Sequence, residues 1–174
     1  KGFHCVIDLT HPFAINITPT LATVCRELRQ PLLRYERSIY NFSNAFLINS
    51  FSDLADYNLE RKSILLAIGI REIQEVVQVL HSLKSEVYAR VLPNPESLKK
   101  ILSSSIPREN FALLNPSNSG DAKVEKALVR RWNIDGVVCR QSGGKTEILW
   151  HNICLSMGIK LWILARPSKL QYIE

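Results

Sequence analysis

The sequence predicts an α/β protein built from two Rossmann-like parallel-sheet domains, the first of them incomplete. Three observations carry that expectation. Short apolar runs suited to buried strands alternate with segments whose apolar residues recur at helical spacing. The connections between them are short, which implies right-handed crossovers and parallel strands. A polar stretch around Asp53, Asp56 and Asn58 interrupts the alternation and places a boundary near residue 60, giving units 1–60 and 61–174.

In chain order, Cys5 to Asp8 reads as a strand that ends at the polar turn Leu9-Thr10-His11-Pro12. Ile17, Leu21, Val24 and Leu28 mark a helix between Ala14 and Arg29. Pro19 suits only a first turn, so regular helix is expected from a Thr18 cap with Pro19 as first residue. Leu32 to Tyr35 is the next strand, and Phe46-Leu47-Ile48 a short one assigned to the first unit. The second unit reads as strands over 63–68, 86–92, 111–114, 136–140 and 160–165. Helices are expected over 71–83, 96–102, 121–132 and 146–157, with a loop over 115–120.

Composition narrows the function classes. The apolar content of 46% is ample for a packed core, and no apolar run approaches the length of a membrane span. Cys5, Cys25, Cys139 and Cys154 are widely separated and none lies at a metal-ligand spacing. Four inert thiols, no metal and a cytoplasmic setting are expected. Residues 1–58 carry balanced charge, so the net +6 resides in 59–174. The lysines and arginines there are scattered, without interleaved aromatic residues, so a small anionic ligand is expected rather than nucleic acid.

Two stretches carry chemistry. The first is Asp8-Leu9-Thr10-His11-Pro12-Phe13-Ala14, a turn beyond the carboxyl end of a strand, where ligands bind in open α/β sheets. The same spacing also suits plain capping of the next helix, with Asp8 holding the turn. The second is Arg140-Gln141-Ser142-Gly143-Gly144-Lys145-Thr146, a strand-to-helix connection whose free amides and cations suit a phosphate or carboxylate. A tight connection with no ligand has the same pattern.

The first string resembles the Asp-x-Thr-His-Pro-Phe-Ala signature of the precorrin-6A reductases of cobalamin biosynthesis. The second resembles that family's Lys-x-Ser-Gly-Gly motif, with Arg140 in place of the lysine. Leu33-Arg34-Tyr35-Glu36-Arg37, Arg90-Val91-Leu92-Pro93 and Ala165-Arg166-Pro167 are similar to further family strings in the same order. The chain departs from the family at Ile68-Gly69-Ile70, where Thr-Gly-Arg or Thr-Gly-Ser is usual, and at Asn115-Pro116, where Gly-Pro is usual. It begins at Lys1 on a strand and contains no Gly-x-Gly-x-x-Gly or Gly-Gly-Thr, so the expectation is that the nucleotide turn of the first, nucleotide-binding-like domain is missing.

The resemblance implies NADPH-dependent reduction of precorrin-6A, or its cobalt form, to precorrin-6B, with NADH as the alternative donor, in a cleft between two α/β domains. It implies an anionic tetrapyrrole partner whose acetate and propionate arms match the basic second unit, and it leaves the oligomeric state open. Thr10, His11, Pro12 and Phe13 are then cofactor contacts, with His11 either the proton donor or an orienting hydrogen bonder. Arg34, Arg37, Arg140, Ser142, Gly143, Gly144 and Lys145 are then substrate contacts. Two other classes stay open: a non-catalytic module binding anions or nucleic acid, which predicts no response to nicotinamide, and a degenerate reductase domain that binds without turnover.

Overall fold

The computed structural model describes residues 3–115 and 122–167. Its elements run in the order β1 (Val6–Asp8), α1 (Ile17–Glu27), β2 (Leu32–Arg34), β3 (Phe46–Ile48), a 3₁₀ turn (Phe51–Asp56), β4 (Ser63–Ala67) and α2 (Ile73–Ser82). β5 (Glu86–Val91), α3 (Pro95–Leu102), β6 (Phe111–Leu113), α4 (Lys123–Arg131), β7 (Gly136–Arg140), α5 (Lys145–Met157) and β8 (Lys160–Leu164) follow. The expected α/β architecture with parallel sheets is present. The loop expected over 115–120 lies outside the described residues from Pro116 on, as does Asp121, the expected start of α4.

β1 and β2 form a two-stranded parallel sheet, with Ile7 beside Leu33 and Asp8 beside Arg34. The other six strands form one parallel sheet in the order β3-β8-β7-β4-β5-β6. Sheet membership therefore changes between Arg34 and Phe46, ahead of the polar stretch near residue 60. Phe46–Ile48, grouped with the first unit by sequence, pairs with β8 at the edge of the larger sheet.

That sheet is buried on both faces, which is why its strands read as continuous apolar runs. Ile64, Leu66 and Val138 pack with Ile73, Val76, Leu80 and Ile101 of α2 and α3 on one face. Leu65, Val137 and Cys139 pack with Val129, Trp150 and Ile153 of α4 and α5 on the other. The connections from β4 lead outward through β5 to β6, then return across the sheet to β7 and on to β8. The order thus reverses between β4 and β7, and a crevice is expected beyond their carboxyl ends.

The first unit is held by a buried polar cluster. Asp8, 1% exposed, accepts the Thr10 amide at 2.9 Å, the Thr18 hydroxyl at 2.7 Å and the Arg34 guanidinium at 2.6 Å. Arg34 also pairs with Glu36 at 2.5 Å and hydrogen-bonds Thr18. Thr18 is therefore not the helix cap. α1 begins at Ile17 behind Asn16, and Pro19 is its third residue, where a missing amide hydrogen costs nothing because the first turn has no acceptors for it. Starting the helix earlier turns Thr18 inward to Asp8.

Burial acts to raise the Asp8 carboxyl pKa, but hydrogen bonds from Thr10, Thr18 and Arg34 outweigh it and hold the group well below the usual carboxylate range. With the folded value depressed, the unfolded chain binds the extra proton, so this contribution is present above the ordinary carboxylate pKa and is lost as pH falls. Asp8→Asn is expected to lower stability by about 3 kcal/mol at neutral pH, near the low end for a broken buried pair because Glu36 still pairs with Arg34. Urea unfolding at pH 7 and pH 4 checks this, and the variant should lose less than the wild type on acidification.

Candidate functional site

The crevice beyond β4 and β7 is closed on its far side by the β1–α1 turn and the segment after β2. Arg166, just past β8, makes that junction. Its Nε donates to the Gln141 carbonyl at 3.0 Å, Nη1 to the Arg37 carbonyl at 2.6 Å and Nη2 to the Ser38 carbonyl at 2.7 Å. Gly143 adopts φ +63°, and a Cβ there would overlap Arg166 Nη2, the Ser38 carbonyl and the Arg37 side chain. Glycine is needed at that position both for the turn and for the close approach of the two segments.

His11 is held by the local turn. Its Nδ1 accepts the Phe13 amide at 3.2 Å, which assigns the proton of the neutral ring to Nε2. Burial, then the charges of Arg37, Arg140 and Arg166, push the imidazole pKa down, so the ring is neutral at pH 7 and presents an N–H donor. Phe13 lies beside it, with the Arg140 guanidinium 4.9 Å from the ring centroid. Arg140 also pairs with Glu72.

The amides of the Gly-Gly turn have partners within the chain. The Gly143 amide donates to Glu147 Oε2 at 2.6 Å, and the Gly144 amide to Ser142 Oγ at 3.3 Å. The anion that the free amides call for is thus supplied within the chain. Glu147 is third in α5 and reaches back over its start, as a capping carboxylate does. It is 1% exposed, and its Oε1 is buried without a hydrogen-bond partner. Burial pushes its pKa up, against the Gly143 and Ser142 amides and Arg166.

Two adjoining cavities open here. A smaller one of about 240 Å³ is lined by His11, Arg37, Arg140, Ser142, Gly144 and Lys145. A larger one of about 480 Å³ is lined by His11, Phe13, Gly69, Arg71, Arg90 and Arg140. Of the residues singled out by sequence, the fold therefore brings His11, Phe13, Arg37, Arg140, Ser142, Gly144 and Lys145 to the cavity walls. Thr10 and Arg34 lie apart: Thr10 Oγ1 is 3.4 Å from Thr18 Oγ1 and 3.3 Å from Arg34 Nη1, inside the Asp8 cluster. Gly143 sits in the seam with Arg166, and Pro12 in the backbone of the turn. Among the described residues no group of three or more His, Cys, Asp or Glu is placed to hold a metal ion.

Glu147 and Glu72 were not singled out by sequence, and Arg90 and Arg166 stood there in family-like strings with no site role assigned. A Glu at the third position of a helix opened by Gly-Gly is a readable capping signal. An arginine inside an apolar strand, as at Arg90, is another.

The family model described as "Precorrin-6x reductase CbiJ/CobK" matches residues 1–174. The chain belongs to that family. This precorrin-6x reductase family chain is 28% identical to the cobalt-precorrin-6A reductase of Synechocystis sp., over 95% of its own length and 64% of that relative. It is 30% identical to the cobalt-precorrin-6A reductase of Methanococcus maripaludis, over 97% of its length and 66% of that protein. The chain thus spans just under two thirds of the length of these two relatives. A solved structure titled "CobK precorrin-6A reductase" has the same fold, at a TM-score of 0.74 and 19% identity, over 96% of this chain and 66% of that one. No helix of the described residues is long and apolar enough to cross a membrane.

Because the Glu147 carboxyl is raised in the fold, the folded state holds its proton more tightly than the unfolded chain. Its contribution is complete at low pH and is lost as pH rises through the raised value. Glu147→Gln keeps an acceptor for Gly143 and should be at least as stable as wild type at pH 8. Glu147→Ala orphans the amide and should cost about 1–3 kcal/mol. Gly143→Ala should cost at least about 2 kcal/mol through strain and overlap with Arg166. Thermal unfolding of the three variants against pH checks all of these.

Proposed function

We propose that the protein carries out NADPH-dependent reduction of one double bond of precorrin-6A, or its cobalt form, to precorrin-6B in cobalamin biosynthesis. Family membership supports the reaction class. The observation that supports the reading at these residues is the place of His11 in the lining of both cavities, among Arg37, Arg140 and Arg71 at the switch-point crevice.

A nicotinamide cofactor, when bound, supplies the hydride. The described residues fit the nicotinamide side of such a cofactor, with a neutral N–H donor at His11, the Phe13 ring beside it and an arginine field around both. The sequence contains no glycine-rich turn for the diphosphate. In this reading His11, Pro12 and Phe13 contact the cofactor, and Thr10 holds their turn through the Asp8 cluster. Arg37, Arg140, Ser142, Gly144 and Lys145 face the carboxylated substrate, and Gly143 with Arg166 keeps the cleft walls together. Arg34 acts through Asp8 rather than on the ligand.

Of the two roles expected for His11, the lowered pKa supports the orienting one. An imidazole whose pKa is pushed below its ordinary value is a poorer source of a proton at pH 7, and in this reading His11 offers a bound group the Nε2–H.

The test is NADPH added to the intact natural protein with and without precorrin-6A, followed by nicotinamide absorbance. Oxidation that requires the tetrapyrrole is expected. Tetrapyrrole binding without oxidation would identify a degenerate partner instead, and binding of neither ligand would sink the reading. His11→Ala is expected to lower kcat at least about tenfold, about 1.4 kcal/mol of barrier, with an unchanged melting temperature. His11→Gln, which still offers an N–H, should recover much of that loss. Equal losses in both variants would restore His11 as an acid.

A further inference from the structure

Arg140 stands where the two cavities meet. It is the last residue of β7, beside the point where the strand order reverses, and it lines both the smaller and the larger cavity. From there its guanidinium reaches away from its own sheet. It lies 4.9 Å from the centroid of the Phe13 ring, and that ring is 5.8 Å from the His11 imidazole on the same turn. One side chain thus joins the six-stranded sheet to the β1–α1 turn.

What keeps it there is Glu72, the residue that opens α2. Burial acts against the Arg140 charge, the Glu72 carboxylate supports it by ion pairing, and the like charge of Arg71 opposes it. The other carboxylates lining the cavities are engaged elsewhere, Glu96 with Lys100 and Glu147 with the Gly143 amide. A guanidinium left beside Arg71 with no counter-charge would relax by swinging its flexible stem toward solvent, away from Phe13. Gly69 makes room for the pair. A Cβ there would lie 2.9 Å from Arg140 Nη2 and 3.1 Å from Glu72 Oε2. The Gly69 backbone is outside the left-handed region, so the bare α-carbon is called for by the two head groups rather than by the turn.

We infer that Glu72 is a positioning residue: its carboxylate holds Arg140 across the Phe13 ring and, through that contact, fixes the β1–α1 turn against the wall shared by the two cavities. The part of this turn in cofactor binding rests on the reductase reading, whereas the coupling from Glu72 through Arg140 to His11 does not. The charges that act on His11 are those of Arg37, Arg140 and Arg166, and Glu72 is not among them. A change at Glu72 therefore reaches the imidazole through the place of Arg140. Withdrawal of a positive charge raises an imidazole pKa, while loss of a carboxylate acting directly would lower it. The sign separates the two routes.

The test uses the intact natural protein and its Glu72→Ala, Gly69→Ala and Arg140→Met variants, with the His11 pKa read by NMR titration of the imidazole. Arg140→Met should raise that pKa by about 0.5, and Glu72→Ala by a similar amount because the guanidinium leaves. Gly69→Ala removes no charge and displaces only the ends of two flexible side chains, so it should fold as wild type does and raise the pKa in the same direction. Glu72→Ala added to Arg140→Met should raise it no further. An unchanged or lowered His11 pKa in Glu72→Ala or in Gly69→Ala would overturn the assignment, as would a further rise in the double variant. Should Glu72→Ala fail to fold, Gly69→Ala decides by itself. With precorrin-6A, kcat should fall about fivefold in Glu72→Ala and in Gly69→Ala, and the double variant should match Arg140→Met. Wild-type kcat in both single variants would remove Glu72 from the reaction. Failure of wild type to oxidise NADPH with precorrin-6A would instead count against the reductase reading, because the titration does not depend on turnover.

Discussion

One guanidinium fixes the geometry of the crevice. Arg166 leaves the end of β8, satisfies the Gln141 carbonyl on its own side, and reaches across to the Arg37 and Ser38 carbonyls of the segment after β2. Each of these bonds joins a charged donor to a backbone acceptor, so the junction is directional as well as strong. It works only because Gly143 has no side chain in its path. The placement of Arg37 opposite Ser142 and Lys145, and hence the smaller cavity, follows from that contact.

The electrostatics of the site follow from how its charges are matched. Arg34 is answered by Asp8, Arg140 by Glu72 and the Gly143 amide by Glu147, each within the chain. Burial first, and then the positive charges of Arg37, Arg140 and Arg166, push the His11 imidazole pKa down. The result is an uncharged N–H donor set within a positive field.

Much of this was legible in the sequence, for physical reasons. Strands buried on both faces leave apolar runs such as Ile64-Leu65-Leu66 and Val137-Val138, and β7 falls on 136–140 as those runs indicate. α1 and α2 were legible from one-sided periodicity. What local pattern could not give was long-range pairing. Phe46–Ile48 stands next to a polar stretch in the chain, yet joins β8, because a three-residue strand is stable only where a sheet edge accepts it. Thr18 and Pro19 read as a cap and a first residue, and the buried Asp8 carboxylate decided otherwise by drawing Thr18 inward. Thr10 and Arg34 are polar residues beside a ligand-type turn, but the pairing of β1 with β2 sets Asp8 beside Arg34 and commits both to the cluster.

The site consequently depends on a sheet that is weak by itself. β1 and β2 have three residues each, and Ile7 and Leu33, neighbours in that pair, are both 58% exposed. Two short parallel strands do not hold by hydrophobic burial at that exposure. Their stability instead comes from the Asp8 cluster, which ties both strands to α1, and from the Arg166 junction, which ties the following segment to the larger sheet. His11 and Phe13 sit between these two polar anchors, on a turn that neither strand fixes. The position of the His11 imidazole is thus set by ion pairs and charge-assisted hydrogen bonds, so acid or the loss of one partner should displace the β1–α1 turn before it disturbs the six-stranded core.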